Sequence, residues 1–226
     1  MNKWLDTTVG AYRRYFGETG HPIVYEVGSR DGNDGYELAE RIYDGPVDML
    51  EDHADLVLFE PNPPQAEKIR QQYPSAFVFE LAVSDKNGTA EFLAIDGGED
   101  IAATGSSSLD LSRKDHKPEN KKVIQVETRR LDEIIAELRH TQIDIMKVDA
   151  EGFTYEVLQS MAHRLSDVKV LHLETEMPGD ATLRHSSVEI FDFMRDAGFL
   201  CFAREYEWGG LEDQVWVNVE MLRHAR

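Results

Sequence analysis

The amino-acid sequence predicts a doubly wound α/β fold, in which helices cover both faces of a mainly parallel β-sheet. Short apolar segments bounded by turn residues recur along the chain, as is typical of buried strands. Segments with helical periodicity alternate with them, and parallel strands need such helical crossovers. The last two apolar segments have no helix between them, which indicates an antiparallel pair at one edge of the sheet.

The individual elements follow from these patterns. The strands are predicted at residues 23–28, 56–60, 77–83, 89–95, 122–127, 143–149, 168–174, 199–204 and 214–219. The helices are predicted at residues 33–43, 61–72, 131–139, 154–164 and 187–197, with a further helix near the N-terminus. Asp34 is a candidate N-cap for helix 33–43, and Asn87-Gly88 favours a tight hairpin. The prolines of segment 61–72 lie at its start, where a helix tolerates them.

The length of 226 residues fits one domain spanning residues 1–226. The N-terminal helix within residues 1–20 either packs in the core or covers a substrate. Residues 96–121 are rich in glycine, serine and charge and form the one long predicted loop. Loops of this length are often functional lids, although a surface insertion is the alternative.

Charge and composition exclude several function classes. The chain has 24 basic and 43 acidic residues, so its formal charge is −19. This charge disfavours nucleic acids and anionic membrane surfaces as partners. A single cysteine, Cys201, excludes an intrachain disulfide and argues against a cysteine-based zinc site. With neither a long apolar segment nor a signal-peptide pattern, we expect a cytoplasmic protein.

The first candidate site follows the first predicted strand. Here Glu26, Gly28, Asp31 and Gly32 precede a helix. Glycines let the backbone approach a ligand, and the start of a helix presents free N–H groups. Glu26 replaces the first glycine of the dinucleotide-binding pattern and suits a cation instead. The alternative is a tight strand-to-helix turn with a solvated glutamate.

Two further candidate sites end later strands. Glu60 ends the second strand, where a carboxylate can accept hydrogen bonds from ribose hydroxyls, or can be simply a charge at a strand end. Lys147 and Asp149 end the strand at 143–149, point to the same face, and are followed by Glu151. A structural ion pair is the alternative for Lys147. Ligands of open α/β sheets bind at these carboxyl ends.

An ordered set of segments resembles one known family. The segments are VYEVGSRDG (24–32), LFEPNPP (58–64), LAVSDKNGTAEF (81–92), SSL (107–109), VETRRLDEI (126–134), IDIMKVDAEGFTYEVLQS (143–160) and LHLETE (171–176). Together they resemble the FkbM family of S-adenosylmethionine-dependent methyltransferases over roughly residues 22–176. The most specific piece is the K-x-D-x-E-G motif with the helix that follows it.

The resemblance implies a class I methyltransferase fold, Rossmann-like, with a seven-stranded sheet in the order 3-2-1-4-5-7-6 and strand 7 antiparallel. It implies methyl transfer to oxygen, on a sugar or another small molecule. The cofactor would be held by a set of residues carried over by position: Glu26, Gly28 and Gly32 at the methionine end, Glu60 at the ribose, and Ala82 and Val83 near the adenine. Asp31 is a further candidate cofactor-binding residue. Arg30 departs from the small residues often found in the family, and we expect it to point outward or to meet the substrate.

For the reaction, the hypothesis places Asp149 as the base at the acceptor hydroxyl, with Lys147 or Glu174 orienting it. Asp149, Glu151 and Glu174 could alternatively hold a divalent cation through oxygen ligands, a less favoured arrangement. A non-catalytic cofactor-binding protein and an NAD(P)-dependent oxidoreductase are the competing functions. The acceptor would be recognised by the N-terminal helix, the 96–121 loop and, in a homodimer, a second subunit.

Overall fold

A seven-stranded β-sheet lies at the centre of the computed structural model, which describes residues 3–95, 107–111, 121–177, 184–206 and 210–224. Its strands are β1 (Ile23–Val27), β2 (Asp55–Phe59), β3 (Phe77–Phe79), β7 (Ile143–Val148), β8 (Val168–Glu176), β9 (Phe199–Tyr206) and β10 (Leu211–Asn218). They lie in the order β3-β2-β1-β7-β8-β10-β9. β10 runs antiparallel to both neighbours, and the other pairs are parallel. Counted within this sheet, the order is 3-2-1-4-5-7-6, so the class I fold is confirmed.

Helices cover both faces of the sheet. They are α1 (Lys3–Phe16), α2 (Asn33–Ile42), α3 (Leu50–His53), α4 (Pro63–Gln72), α5 (Leu131–Leu138), α6 (Thr154–Met161), α7 (Ser187–Asp196) and α8 (Val219–His224), with 3₁₀ turns at Val47–Met49 and Ala162–Asp167. Side chains of α1, α2 and α4 share one apolar cluster with Ile145 of β7, while α5, α6 and α7 share the other with Met146. Neighbouring residues of β7 therefore serve opposite faces, which is why the whole strand is buried.

Helix α1 packs in the core instead of standing over an open cleft. Trp4, Leu5 and Tyr12 are buried against the sheet, and the Tyr12 hydroxyl donates a hydrogen bond to Asp144 at 2.7 Å. Of the two roles predicted for the N-terminal helix, packing in the core is therefore the one that the structure shows. None of the helices in the described ranges is long and apolar enough to cross a membrane.

A second, three-stranded sheet corrects two sequence predictions. Its order is β4 (Ala82–Val83), β6 (Lys121–Arg129), β5 (Gly88–Ile95). The predicted strand 77–83 is wrong as one element, because β2 ends at Phe59, opposite Phe79, and leaves the rest of the segment without a partner in the large sheet. The Asn87-Gly88 hairpin is also wrong, since β4 and β5 both pair with β6 and not with each other.

Smaller differences concern element ends and loops. The N-cap of α2 is Gly32, with φ of +75°, and Asp34 lies in the first turn. The helix predicted at 154–164 changes to a 3₁₀ turn after Met161. Most of the 96–121 loop lies outside the described residues, so its role as a lid stays a prediction. Within its described part, Ser108 pairs with Leu93 and its hydroxyl donates to the Glu151 carbonyl at 2.6 Å.

Candidate functional site

The carboxyl ends of β1 and β7 meet at a very short separation. Gly28 follows β1 with φ of +82°, and an added Cβ there would lie 1.9 Å from the backbone oxygen of Asp149. The Asp149 N–H donates to the Val27 carbonyl at 2.9 Å, which holds the two segments together. Only glycine combines this backbone conformation with this closeness. Gly28 and Asp149 are therefore fixed relative to each other at the top of the sheet.

Glu26 is buried directly beneath this junction. Its Oε2 accepts a hydrogen bond from the Gly35 N–H at 3.1 Å, in the first turn of α2. Burial raises the pKa of Glu26 to about 8, although Lys147 lowers it and the Gly35 bond favours the charged form. Ionisation of a carboxyl group at this depth favours a cationic partner, so Glu26 in its carboxylate form can bind an ammonium group.

Lys147 is held by carboxylates from three different segments. Its Nζ lies 3.2 Å from Asp149, 3.2 Å from Asp34 and 3.7 Å from Glu26. Burial opposes the charged form, but the surrounding carboxylates, Asp149 first, raise the pKa of Lys147 above its usual value. The ammonium group is therefore charged and already fully engaged, which suits a positioning role better than proton transfer.

Glu60 holds the turn after β1 through backbone hydrogen bonds. Its Oε2 accepts from the Arg30 N–H at 2.9 Å, and its Oε1 accepts from the Asn62 N–H at 2.8 Å. Burial raises the pKa of Glu60 to about 7 against the opposing effect of these bonds. Each carboxylate oxygen keeps a further lone pair, so both can accept hydroxyl donors in a fixed geometry.

Arg30 occupies the strained position in this turn, with φ of +50°. Its guanidinium lies 3.3 Å from the Asp31 carboxylate, and the side chain is 42% exposed. Asp31 in turn accepts a hydrogen bond from the Asn33 N–H at 3.1 Å, beside the Gly32 cap. Arg30 thus points partly outward, at the rim of the clefts described next.

An apolar cleft lies on the β2 and β4 side of Gly28. Its walls include Phe59, Leu81, Ala82, Val83, Phe92 and Phe153. Glu60 and Pro61 lie at the polar edge of this cleft. A flat apolar ring with hydroxyls at one end would match this cleft, since such sites combine apolar walls with a few placed polar groups.

An acidic cleft of about 210 Å³ lies on the other side of Gly28. Its lining comprises Glu26, Gly28, Ser29, Arg30, Asp31, Asp34, Lys147, Asp149, Glu151 and Glu174. Carboxylate oxygens of Asp149, Glu151 and Glu174 lie within 4.8 Å of one another. Burial, followed by the neighbouring Asp149 and Glu151 charges, raises the pKa of Glu174 well above its usual value. The two clefts share Gly28, Arg30 and Asp149 and form one continuous surface.

Comparison with known proteins decides the family. The model of the methyltransferase FkbM domain matches residues 26–201, which include all the lining residues of the apolar and acidic clefts. The chain belongs to the FkbM methyltransferase family. This result confirms the family indicated by the ordered sequence segments.

Two individual proteins are also similar to this FkbM domain. The 2-O-methyltransferase NoeI of Sinorhizobium fredii (strain NBRC 101917 / NGR234) is 28% identical over 161 residues, which cover 68% of this chain and 63% of NoeI. The chain thus matches less than two thirds of that relative. A crystal structure of a candidate rRNA methylase from Clostridium thermocellum is 6% identical, with a TM-score of 0.52 and coverage of 97% of this chain and 99% of that one. The second similarity concerns the fold alone.

Nine of the ten site residues predicted from the sequence line one or both of the two joined clefts, and Gly32 is the exception. Ala82 and Val83 line the apolar cleft, and Lys147, Asp149 and Glu174 line the acidic one. Gly32 packs against Leu58, since an added Cβ at this glycine would lie 2.9 Å from the Leu58 side chain. Their roles in binding and catalysis stay predictions.

Sequence analysis missed three contributors to the FkbM site. Gly35 approaches Glu26 so closely that an added Cβ would lie 2.9 Å from its Oε2. The Ser29 hydroxyl donates to the Glu26 carbonyl at 2.8 Å and accepts from the Phe59 N–H at 3.1 Å. Phe153 forms a wall of the apolar cleft. Only Gly35 carried a usable signal, because glycine disfavours the helix in which it occurs.

Proposed function

We propose that the chain is an S-adenosylmethionine-dependent methyltransferase that methylates a hydroxyl oxygen of a small molecule or sugar. The observation that carries this proposal is the junction of an apolar and an acidic cleft at Gly28 and Asp149. S-adenosylmethionine has an apolar adenine at one end and a sulfonium with an ammonium group at the other. The name of the relative NoeI, a 2-O-methyltransferase, supports oxygen as the acceptor atom.

The residues present fit this cofactor. The apolar cleft at Ala82 and Val83 suits adenine, and Glu60 offers two oriented acceptors for the ribose hydroxyls. Glu26 and Asp31 suit the ammonium group, while Gly28 and Gly32 allow close approach of the backbone. An NAD(P) pyrophosphate would instead meet the carboxylate of Glu26, which counts against an oxidoreductase.

When bound, the cofactor supplies an electrophilic methyl group on its sulfonium sulfur. The protein then has to orient the acceptor oxygen, exclude water and remove the hydroxyl proton. Orientation can contribute about 7–11 kcal/mol, whereas a general base contributes about 10²–10⁴-fold in rate. Asp149 accepts the proton in this proposal, Lys147 fixes the Asp149 carboxylate at 3.2 Å, and Glu174 accepts a hydrogen bond from the acceptor.

Calorimetric titration with S-adenosylmethionine and S-adenosylhomocysteine tests cofactor binding. We expect micromolar affinity in the wild type and its loss in Glu60→Ala. Glu80→Ala is the matched control, because Glu80 lies on the surface and pairs with Arg70. Absence of binding at millimolar cofactor would refute the proposal.

Asp149→Asn tests the base. We expect turnover to fall by about 10²-fold or more while cofactor affinity changes little, because the amide keeps the size of the side chain but accepts no proton. Turnover within a few-fold of wild type would show that Asp149 is not the base. Radioactive methyl transfer to hydroxyl-bearing compounds gives the rate, and the same assay with a chelator tests the alternative of a divalent cation at Asp149, Glu151 and Glu174.

A further inference from the structure

Residues 107–109 form a short segment along the free side of β5, and we call them the edge segment. Ser108 exchanges two backbone hydrogen bonds with Leu93 of β5, at 2.8 and 3.1 Å. Ser107 and Leu109 both line the apolar cleft, whereas Ser108 between them is buried. This is the alternation expected of an extended segment, in which successive side chains point to opposite faces. One face of the edge segment therefore meets the cleft and the other meets the protein.

Leu109 connects the edge segment to the apolar core of the second sheet. It is half-buried and packs against the cluster formed by Ala82, Phe92, Ala94 and Val126. Ala82 and Phe92 of this cluster also line the apolar cleft. This part of the cleft wall is thus a continuation of the core of the second sheet, and its position depends on how that sheet is held against the large one.

The Ser108 hydroxyl joins the edge segment to the turn that follows β7. It donates a hydrogen bond to the Glu151 carbonyl at 2.6 Å and accepts one from the Asp110 N–H at 2.9 Å. The same turn contributes Asp149 and Ala150 to the lining of the apolar cleft. One buried hydroxyl therefore fixes the distance between two separate parts of the cleft wall.

The turn after β7 has to be held in place by such contacts. Glu151 has φ of +47°, in the left-handed region that is unfavourable for residues other than glycine. One of its carboxylate oxygens lies within 4.8 Å of oxygens of Asp149 and Glu174, and the ionised forms of these groups repel one another. Backbone in such conformations persists only where the surrounding structure over-determines it. The hydrogen bond from Ser108 to the Glu151 carbonyl is one of the contacts that do so.

We propose that the edge segment forms the part of the cleft wall that contacts the adenosine portion of the cofactor, and that Ser108 is the positioning residue that holds this wall at the turn after β7. The inference rests on the proposed function, because the ligand is S-adenosylmethionine. It goes further in assigning residues 107–109 to the cofactor site. It also makes cofactor affinity depend on a buried hydroxyl that does not itself line the cleft.

Calorimetric titration of the full chain with two ligands tests the inference. S-adenosylhomocysteine carries the adenosine and the amino-acid portions, whereas methylthioadenosine carries the adenosine portion alone. We expect Ser108→Ala to raise both dissociation constants by the same factor, at least about fivefold, because both hydrogen bonds of the buried hydroxyl are lost. Ser108→Cys keeps a weak donor, and its dissociation constants should lie between those of the wild type and Ser108→Ala.

Ser160→Ala is the matched control for the lost hydroxyl. Ser160 of α6 is also buried, and its hydroxyl donates to the Val157 carbonyl at 2.6 Å and accepts from the Leu131 N–H at 3.3 Å. It lines neither cleft. Urea denaturation should therefore show a loss of stability similar to that of Ser108→Ala, while both dissociation constants stay at their wild-type values.

Leu109→Ala tests the wall directly and does not require the Ser108 variants to fold. It removes the apolar side chain that lies between the second sheet and the cleft, so both dissociation constants should rise by about threefold or more. Leu111→Ala is the control, since Leu111 is 43% exposed and lines neither cleft.

The outcomes separate the two proposals. Failure of the wild type to bind S-adenosylhomocysteine would refute the proposed function itself. Where the wild type binds it, the inference alone is overturned by unchanged affinities in Leu109→Ala or in folded Ser108→Ala. A loss confined to S-adenosylhomocysteine, or no binding of methylthioadenosine to the wild type at millimolar concentration, would also overturn it. So would an equal loss of affinity in Ser160→Ala, because the affinity would then follow stability and not the position of the wall.

Discussion

The closeness of Gly28 to Asp149 leads to a quantitative prediction for Gly28→Ala. A Cβ at this position would lie 1.9 Å from a backbone oxygen, far inside the contact distance of carbon and oxygen. Because the obstacle is backbone on a central strand, relief requires the ends of β1 and β7 to move apart by more than about an ångström. The left-handed conformation adds about 1–2 kcal/mol. We expect a total loss above about 4 kcal/mol, at the upper end for single substitutions.

Gly198→Ala is the matched control for this substitution. Gly198 also has a positive φ, +89°, but an added Cβ there would meet nothing within 4 Å. Gly198→Ala should therefore lower the free energy of unfolding only by the cost of the left-handed backbone conformation, about 1–2 kcal/mol. The lower entropy of the unfolded chain partly offsets this loss. For a chain of this size the two losses correspond to about 2–8 °C for Gly198→Ala and more than about 8 °C for Gly28→Ala.

Chemical and thermal denaturation of both variants, together with cofactor titration, check this reasoning. We expect Gly28→Ala to lose cofactor affinity as well, because Gly28 and Asp149 line both clefts. Gly198→Ala should bind the cofactor as the wild type does. If the two variants were equally stable, the close approach of β1 and β7 could not be the reason for glycine at position 28.

Two further predictions concern the buried charges. Burial raises the pKa of Glu26 to about 8 and that of Glu60 to about 7, from 4.5, so the folded state binds protons that the unfolded state has already lost. The stability that these groups give the cofactor-free protein is therefore complete below about pH 4.5 and is lost as the pH rises through about 7 to 8, at up to about 1.4 kcal/mol per pH unit for each carboxyl group. Urea denaturation at several pH values measures the free energy of unfolding, and we expect its fall between pH 6 and 8 to be smaller in Glu26→Gln. An equal fall in wild type and Glu26→Gln would contradict the prediction. Lys147→Met removes the ammonium group that lies beside Glu26, Asp34 and Asp149, and we expect a loss of about 3–5 kcal/mol at pH 8 that becomes smaller at pH 6 as Glu26 takes up a proton. A loss independent of pH would show that packing of the Lys147 side chain, and not its charge, stabilises the site.

Local patterns were sufficient for most of the elements. The apolar residues of β7 predict a buried strand, and the helical periodicity of residues 33–43 and 131–139 predicts the helices that the structure has as α2 and α5. Such patterns are readable because burial repeats with the period of the element itself. They also place acidic residues at strand ends, where Glu26, Glu60 and Asp149 indeed lie at one edge of the sheet.

Patterns failed where an element depends on a distant partner. Nothing within the apolar segment 77–83 indicates that it forms two strands, β3 and β4. The separation arises because β2, the partner of β3, ends at Phe59. The Asn87-Gly88 pair is typical of a hairpin turn. Asn87 instead forms hydrogen bonds with Arg130 and Glu133, because β6 lies between β4 and β5. Pairing between strands is decided by register over the whole sheet, which a local segment does not encode.

The sequence by itself therefore determined the fold class, the family and the residue types at the strand ends, since these follow from periodicity and from ordered motifs. Only the tertiary structure decided how those residues act on one another. It brings Gly28 against Asp149 and surrounds Lys147 with carboxylates from β1, α2 and the end of β7. Each of these contacts joins segments far apart in the chain, so their distances, and the pKa values that depend on them, arise only when the sheet is assembled.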